Sequence, residues 1–263
     1  MSARKWILAM FLAMSLLLAS TAQAGVGDGD CMTDLDQPNW MEHFSAGVDL
    51  SKWQKVNDWS KLKNSDGLSF VFIKATEGVS YLNPNFSEDW NDMADSTSSQ
   101  LKARGAYHFY HPSVDALTQA KYFLRTMGRL GATDLPPVLD LETFDHLNVK
   151  SAKVMTKMAG EVLKWLRYVE KQTQRIPIIY TSPKFWQKLG AKDPAFAHFS
   201  LFMAKYQTKV CPAAMAPWKQ WAFLQYSEEG NEDGVDNKID LDIFNGNASD
   251  LQQFIDDSIV GAT

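Results

Sequence analysis

The sequence predicts an α/β fold, specifically a modified β/α (TIM-like) barrel of about eight strands. Short apolar runs, rich in β-branched and aromatic residues, alternate with longer stretches in which apolar residues recur at helical spacing. This alternation indicates a parallel or mostly parallel sheet, and eight strands suffice to close it into a barrel. The eight runs are 44–50, 68–75, 103–110, 137–142, 176–182, 200–206, 221–226 and 239–244.

Helices are predicted between several of these strands. Their ranges are 84–102, 113–129, 150–174, 183–190 and, after the last strand, 249–259. In the longest, the residues at helical spacing are Val154, Met158, Val162, Trp165 and Tyr168. The links after strands one, six and seven are poor in helix. No internal repeat or low-complexity linker interrupts 44–259, so we expect one barrel domain over that range.

The N-terminus has the pattern of a secretory signal peptide over residues 1–24. Arg4 and Lys5 precede an apolar run of about 14 residues, and Thr21-Ala22-Gln23-Ala24 supplies an A-x-A cleavage site. An uncleaved membrane anchor is the alternative, but the run is short for a bilayer of ~30 Å. We therefore expect an exported protein, periplasmic or extracellular, without stable membrane association after cleavage. Loss of the two basic residues takes the formal net charge from −5 to −7.

Residues 25–43 are rich in Gly and Asp and lack periodicity, which predicts an irregular acidic extension. Cys31 in this extension and Cys211 in the barrel domain are the two cysteines of the chain. In an oxidising compartment we expect them to form a disulfide, with two unrelated thiols as the alternative. A loop of that length would contribute about 5 kcal/mol in the chain-entropy model.

Charge and composition exclude several classes of function. An acidic chain without a basic run gives no reason to expect nucleic acid or anionic lipid as a partner. Two Cys without clustered His do not make a structural zinc site, and His108 and His111 lack Asp or Glu partners at matching spacing. We therefore expect no metal, no other cofactor and a monomeric protein.

Asp140 and Glu142 are the most informative pair of residues, because they close the apolar run Pro136-Pro137-Val138-Leu139. Residues i and i+2 of a strand share one face, so both carboxyl groups point the same way. Two adjacent carboxylates repel, which raises the pKa of one of them. An acid and an anion in one cleft are what cleavage of a glycosidic bond requires.

Polar side chains also end the other strands, and the carboxyl ends of strands carry the chemistry of parallel barrels. In chain order they are Asp49, Lys74 with Glu77, His108 with Tyr110, Tyr180, Lys205 with Tyr206, Gln225 with Tyr226, and Asp240 with Asp242. The candidates for contacts to sugar are Tyr107, Tyr110, Tyr180, Tyr206, Gln225 and Tyr226. For Tyr107 and Tyr206 a place in the barrel core is an equal alternative. Lys74 and Glu77 are interpreted as a structural ion pair, whereas Asp236 and Asp242 compete with Asp240 for its assignment.

The strand motifs resemble those of glycoside hydrolase family 25, the muramidases often called Chalaropsis-type lysozymes. The matching segments are Gly47-Val48-Asp49-Leu50-Ser51-Lys52-Trp53-Gln54, Phe72-Ile73-Lys74-Ala75-Thr76-Glu77-Gly78, Gly105-Ala106-Tyr107-His108-Phe109, Asp140-Leu141-Glu142, Ile179-Tyr180-Thr181, Gln225-Tyr226-Ser227 and Ile239-Asp240-Leu241-Asp242-Ile243-Phe244. They follow the family's order and cover about 44–246. In the sixth strand Leu201 is followed by Phe202, where the family often has Trp, so one sugar-stacking contact is expected to differ.

The resemblance implies hydrolysis of the β-1,4 bond between N-acetylmuramic acid and N-acetylglucosamine in the glycan strands of peptidoglycan. It carries the acidic set of the family over to Asp49, Asp140, Glu142 and Asp240, with Glu142 as proton donor. Asp140 then either attacks the anomeric carbon or orients the 2-acetamido group of the substrate, which becomes the nucleophile.

Two other functions are weighed against this one. A non-catalytic barrel that only binds peptidoglycan would have no use for two adjacent carboxyl groups. A chitin-cleaving barrel glycosidase typically carries Asp-x-Asp-x-Glu on the fourth strand, and here the first of these positions is Val138. The biological role, whether wall remodelling, autolysis, lysis or attack on competitors, is left open by the sequence.

Overall fold

The computed structural model describes residues 43–94, 101–206 and 212–261. The predicted signal peptide, all of the acidic extension except His43, and both Cys31 and Cys211 lie outside the described residues. The predictions made for those segments are therefore not tested by the structure.

Eight strands form a closed barrel, as the sequence predicts, and three two-residue strands accompany them. In chain order the strands are β1 Ser45–Leu50, β2 Lys55–Val56, β3 Leu68–Glu77, β4 Tyr81–Leu82, β5 Ala103–Phe109, β6 Val138–Leu141, β7 Ile178–Thr181, β8 Ser200–Ala204, β9 Phe223–Gly230, β10 Val235–Asp236 and β11 Ile239–Phe244. The barrel order is β1-β3-β5-β6-β7-β8-β9-β11, and β11 pairs with β1 to close it. The strands β4, β2 and β10 lie outside this ring.

One strand of the barrel runs against the others. Parallel pairing links β1, β3, β5, β6, β7, β8 and β9, whereas β11 is antiparallel to both β9 and β1. The start of β11 therefore lies at the barrel end where the other strands finish, and Asp240 lies directly opposite Asp49. The prediction that Asp240 lies at the end of a strand is wrong, because Asp240 lies at the start of β11. The short β9–β11 link lacks the helix that returns a chain to parallel pairing, so β11 runs antiparallel to its neighbours.

Six α-helices surround the described barrel. They are α1 Trp59–Lys63, α2 Phe86–Ala94, α3 Ala116–Met127, α4 Ala152–Thr173, α5 Pro183–Leu189 and α6 Ala248–Asp257, with a 3-10 helix at Pro194–His198. Side-chain caps fix the starts of the longer ones, including Asp115 before α3 and Ser151 before α4. Helix α1 and the 3-10 helix were not predicted, because five residues are too few to show periodicity. No helix in the described ranges is long and apolar enough to cross a membrane.

The interior of the barrel is filled by buried phenylalanines. The rings of Phe70, Phe72, Phe202, Phe223 and Phe244 pack with neighbouring centroids 5.1–5.7 Å apart. Glycines on adjacent strands make room for two of them. A Cβ atom at Gly47 would lie 2.1 Å from the Phe70 ring, and one at Gly105 would lie 2.4 Å from Phe72. This aromatic floor closes the barrel below the end where the parallel strands finish.

We expect Gly47→Ala to destabilise the fold, because the added methyl group overlaps a ring that has no free space to move into. Overpacking of this kind costs about 1–3 kcal/mol of the free energy of unfolding. Urea unfolding followed by tryptophan fluorescence measures the change. The matched control is Gly160→Ala in α4, where nothing lies within 4 Å of the added atom, and stability should be kept or raised. Equal free energies of unfolding for wild type and Gly47→Ala would contradict the conclusion that the Phe70 ring leaves no room for a side chain at position 47.

Candidate active site

A cleft with about 140 Å³ of water-accessible space opens at the barrel end where the parallel strands finish. Its lining residues are Asp49, Phe72, Tyr107, Val138, Asp140, Glu142, Tyr180, Phe202, Tyr206, Gln225, Glu228 and Asp240. All four acids predicted from the sequence are among them. The aromatic floor contributes Phe72 and Phe202, so the carboxyl groups lie above an apolar base.

Asp140 and Glu142 form the first carboxyl pair of the cleft. Asp140 is the third residue of β6 and only 4% exposed, whereas Glu142 follows the strand and is exposed. The two carboxyl groups interact directly, and Oδ1 of Asp140 is buried without a hydrogen-bond partner among the described residues. Burial, followed by the charge of Glu142, raises the pKa of Asp140 well above its usual value. Desolvation by the surrounding cleft walls raises the pKa of Glu142, against a lowering by Asp140 and Lys74. The pair therefore retains a proton at a pH where a solvated carboxyl group has lost its own.

Asp49 and Asp240 form the second pair, on the two strands that close the barrel. Their backbone positions are directly opposite in the β1–β11 ladder. Burial, followed by the charge of Asp240, raises the pKa of Asp49 well above its usual value. Burial and the charges of Glu228 and Glu142 raise the pKa of Asp240 to about 6, against a lowering by its hydrogen bond with Asp49. The cleft thus holds two pairs of interacting carboxyl groups rather than four independent ones.

Gln225 connects the second pair to two tyrosines. Its Oε1 accepts hydrogen bonds of 2.7 Å from the hydroxyl groups of both Tyr180 and Tyr206. Its Nε2 donates a 2.6 Å hydrogen bond to Oδ2 of Asp49. The two hydroxyl donors fix which end of the amide faces Asp49, and this holds the Asp49 carboxyl group in one orientation.

The predicted ion pair between Lys74 and Glu77 is present, with 2.7 Å between Nζ and Oε2. Oε1 of Glu77 lies 2.9 Å from Nε2 of His111. Nδ1 of the same imidazole lies 2.8 Å from Oδ1 of Asp145. Burial of His111 opposes its charging, but the hydrogen bonds that the charged imidazole donates to the two carboxylates outweigh burial and raise its pKa. The positive charge of Lys74 acts on the first pair, where it lowers the pKa of both Asp140 and Glu142.

The candidates for contacts to sugar divide into two groups. Four of them line the cleft: Tyr107, Tyr180, Tyr206 and Gln225. Tyr110 and Tyr226 do not. Tyr226 follows Gln225 on β9 and so points to the opposite face, where it packs against the outer core. Tyr110 lies beyond the end of β5 and is buried in the same outer core.

His108 is also a structural residue, buried between the barrel and its helices. One ring nitrogen lies 2.8 Å from the Thr76 hydroxyl group and the other 3.2 Å from the Gln119 carbonyl oxygen. Burial lowers the pKa of His108 to about 3, so the imidazole is neutral. In the described part of the chain, no group of three or more His, Cys, Asp and Glu side chains is arranged to hold a metal ion.

Sequence reasoning missed Glu228 and the apolar lining residues Phe72 and Val138, whereas Phe202, which it names as the residue at a sugar-stacking position of the family, does line the cleft. Glu228 belongs to β9, which runs to Gly230, whereas the predicted strand ends at residue 226. The apolar lining residues read as ordinary strand core, and only the closure of the barrel shows that they face the cleft.

Asp242 lies on the same face of β11 as Asp240, one layer deeper. It is fully buried, and neither carboxyl oxygen has a hydrogen-bond partner among the described residues. Burial, followed by the charges of Asp49 and Asp240, raises its pKa well above the usual value. Asp242 is therefore a protonated residue beneath the cleft.

The arrangement defines a β/α-barrel glycosidase. The barrel end presents a proton-retaining carboxyl pair, a second pair opposite, and tyrosine side chains over an aromatic floor, which together meet the needs of acid-assisted cleavage of a glycosidic bond.

Comparison with known proteins places the chain within this class. The model of Glycosyl hydrolases family 25 matches residues 48–235. YegX of Escherichia coli K12 is 37% identical over 215 residues, which cover 80% of this chain and 73% of that protein. Lysozyme M1 of Streptomyces globisporus is 32% identical, covering 78% and 69%. The crystal structure of a bacterial lysozyme from Streptomyces coelicolor matches with a TM-score of 0.72 at 29% identity, covering 81% and 98%. The chain belongs to glycosyl hydrolase family 25, as its motifs predict.

Because the pKa of Asp242 is higher in the folded than in the unfolded protein, its contribution to stability is largest at low pH. The contribution falls as the pH rises above about 4, the value for an unfolded Asp. We expect Asp242→Asn to abolish this loss of stability at high pH. The Tm of the variant should therefore exceed the Tm of wild type by more at about pH 8 than at about pH 4. Thermal unfolding at both pH values, with exposed Asp66→Asn as control, measures the difference. A gain that is independent of pH would contradict the assignment.

Proposed function

We propose that the protein is a lysozyme, an N-acetylmuramidase that hydrolyses the β-1,4 bond between N-acetylmuramic acid and N-acetylglucosamine in peptidoglycan. The observation that carries this proposal is the Asp140–Glu142 pair, which retains a proton at the rim of a cleft in a family 25 chain. The names of relatives point the same way, since both Lysozyme M1 and the Streptomyces coelicolor structure are lysozymes.

Glu142 is assigned as the general acid. It is the exposed member of its pair and so can reach the glycosidic oxygen of a bound glycan. Desolvation by the cleft walls raises its pKa, against a lowering by Asp140 and Lys74. When the acetamido N–H of the substrate donates to Asp140, the proton of the pair is left on Glu142, which carries it into the reaction. As the C1–O4 bond breaks, that proton passes from Glu142 to the leaving oxygen. The resulting carboxylate then accepts a proton from the water molecule that attacks C1 in the second step.

Asp140 has two candidate roles, and its burial favours one of them. Direct attack on the anomeric carbon needs an accessible carboxylate oxygen, whereas Asp140 is only 4% exposed. A buried carboxyl group is better suited to accept the N–H of the 2-acetamido group. The acetamido carbonyl oxygen then attacks C1, and Asp140 stabilises the cyclic cation until water opens it. We therefore assign Asp140 as the residue that orients the acetamido group.

Asp49 and Asp240 are assigned to the electrostatics of the cleft. When the pair holds one proton, it carries one negative charge. This charge faces the position where positive charge develops on the sugar ring. Gln225 holds Asp49 in place, while the pKa of Asp240 of about 6 allows the pair to change its charge in mildly acidic solution.

A non-catalytic peptidoglycan-binding barrel is less well supported, because binding alone gives no reason to bury two carboxyl pairs in one cleft. A chitin-cleaving enzyme would share the aromatic floor and the acetamido chemistry, so the nature of the products must decide. Export is part of the proposal and is supported by the signal-peptide pattern of residues 1–24. The expected site of action is the cell wall, reached from the periplasm or the exterior.

Glu142→Gln should lower the rate of peptidoglycan hydrolysis by about 10²–10⁴-fold, the usual contribution of a general acid. The fold and the binding of purified sacculi should remain, because the amide is isosteric and stays in the cleft. Release of reducing ends and co-sedimentation measure the two properties. Glu229→Gln makes the same chemical change on an exposed side chain of β9 and serves as control. Activity of Glu142→Gln within a few-fold of wild type would move the general acid elsewhere.

The products of digestion test specificity. We expect cleaved glycan strands to carry muramic acid at the new reducing end, with much slower cleavage of chitin oligomers. Mass spectrometry of reduced fragments identifies the terminal sugar. Glucosamine at that end would make the protein a glucosaminidase, and efficient chitin cleavage with an untouched wall would overturn the muramidase proposal.

A further inference from the structure

Large apolar side chains that remain exposed concentrate at the cleft end of the barrel. In the described ranges they are Trp53, Val79, Leu82, Tyr206 and Val260. All but Val260 follow the carboxyl ends of β1, β3 and β8 or lie on β4. An exposed apolar group that recurs at one end of a protein indicates a surface that contacts a ligand.

Trp53 is the most exposed of them, at 69%, and yet its backbone is firmly held. Its carbonyl oxygen accepts a 2.8 Å hydrogen bond from Asn237, and the neighbouring Gln54 donates to the carbonyl oxygen of Lys238 at 2.9 Å. These bonds pin the β1–β2 loop to the segment that leads into Asp240. The backbone that carries the indole is therefore held against the segment that leads into the cleft.

Lys52 places an ammonium group next to this indole. Its Nζ lies 4.3 Å from the Trp53 ring centroid and 5.6 Å from that of Tyr81. Across residues 43–94, 101–206 and 212–261, no carboxylate lies within ion-pair distance of it. Lys74 also lies near Tyr81, with Nζ 5.5 Å from the ring centroid, but it is ion-paired with Glu77. Lys52, Trp53 and Tyr81 together are named the Lys52 cluster.

The chemistry of the Lys52 cluster differs from that of the cleft it adjoins. The cleft is acidic and suits an uncharged sugar, whereas the cluster offers a positive charge without a partner between aromatic faces. A neutral glycan would use the aromatic rings and leave the ammonium group unpaired. An anionic substituent on the glycan would use both, and in peptidoglycan such substituents are the peptide stems on muramic acid, which carry free carboxylates.

We propose that the Lys52 cluster binds the peptide stem of the muramoyl residue, with Lys52 pairing with a stem carboxylate and Trp53 contacting its apolar part. This inference rests on the proposed function and deepens it, since it locates the contacts that distinguish peptidoglycan from chitin. Both polymers share the acetamido group, and only peptidoglycan carries the stem.

The test uses calorimetric binding in the Glu142→Gln background, so that no ligand is cleaved. The two ligands are a peptidoglycan tetrasaccharide with its peptide stems and the same tetrasaccharide without them. We expect the stems to strengthen binding about five- to tenfold, the range of an exposed charge pair with an aromatic contact. Lys52→Met and Trp53→Ala should each remove most of that gain and leave affinity for the bare tetrasaccharide unchanged. Lys52→Arg should keep most of it.

Lys121→Met is the matched control, because Lys121 lies 5.9 Å above the Tyr168 ring on the helical exterior, far from the cleft. Equal affinity for the two ligands, or a stem preference that survives Lys52→Met, would overturn the inference. A loss of affinity for both ligands in Trp53→Ala would also overturn it, since Trp53 would then contact the sugar. The proposed function is judged separately, by whether the wild-type enzyme releases muramic acid ends. Its failure is visible in hydrolysis and not in the binding comparison.

Discussion

Burial of carboxyl groups above a layer of phenylalanine rings is the constraint on which the rest of this structure depends. Charges removed from water are costly unless they are paired or neutralised. The cleft meets that cost by placing its acids in two pairs, Asp140 with Glu142 and Asp49 with Asp240, each of which can hold one proton between two groups. The aromatic floor maintains the desolvation, and glycines on β1 and β5 let its rings pack densely enough to do so.

The surrounding polar contacts hold this arrangement in register. Gln225 joins a carboxyl group on β1 to hydroxyl groups from β7 and the end of β8, so three parts of the barrel share one amide. On the other side, the chain from Lys74 through Glu77 to His111 supplies positive charge near the first pair. One pair is thus steadied by neutral donors and the other by a cation, which gives the two pairs different electrostatic surroundings.

Most of the barrel could be predicted because its buried strands are apolar throughout and separated by helices of amphipathic spacing. The four acids could be predicted because each belongs to a strand motif that resembles one of the family. The direction of β11 could not, since a run such as Ile239–Phe244 reads the same in a parallel or an antiparallel ladder. Strand alternation predicts that Gln225 and Tyr226 point to opposite faces of the sheet. Which of the two faces the barrel interior depends on how the sheet curves, and the sequence does not show this. Trp53 and Lys52 are visible only as part of a motif, and their exposure depends on how the loop folds.

The antiparallel pairing of β1 with β11 has a consequence for when activity arises. Asp49 and Asp240 come from the first and last strands of the barrel, and they meet only after the ring has closed. A ribosome-bound intermediate lacking the last strand would possess the Asp140–Glu142 pair but not the opposite wall. Pairing of segments so distant in sequence carries a loop-closure cost that slows folding. The second carboxyl pair therefore exists only in a chain whose last barrel strand has already paired with its first.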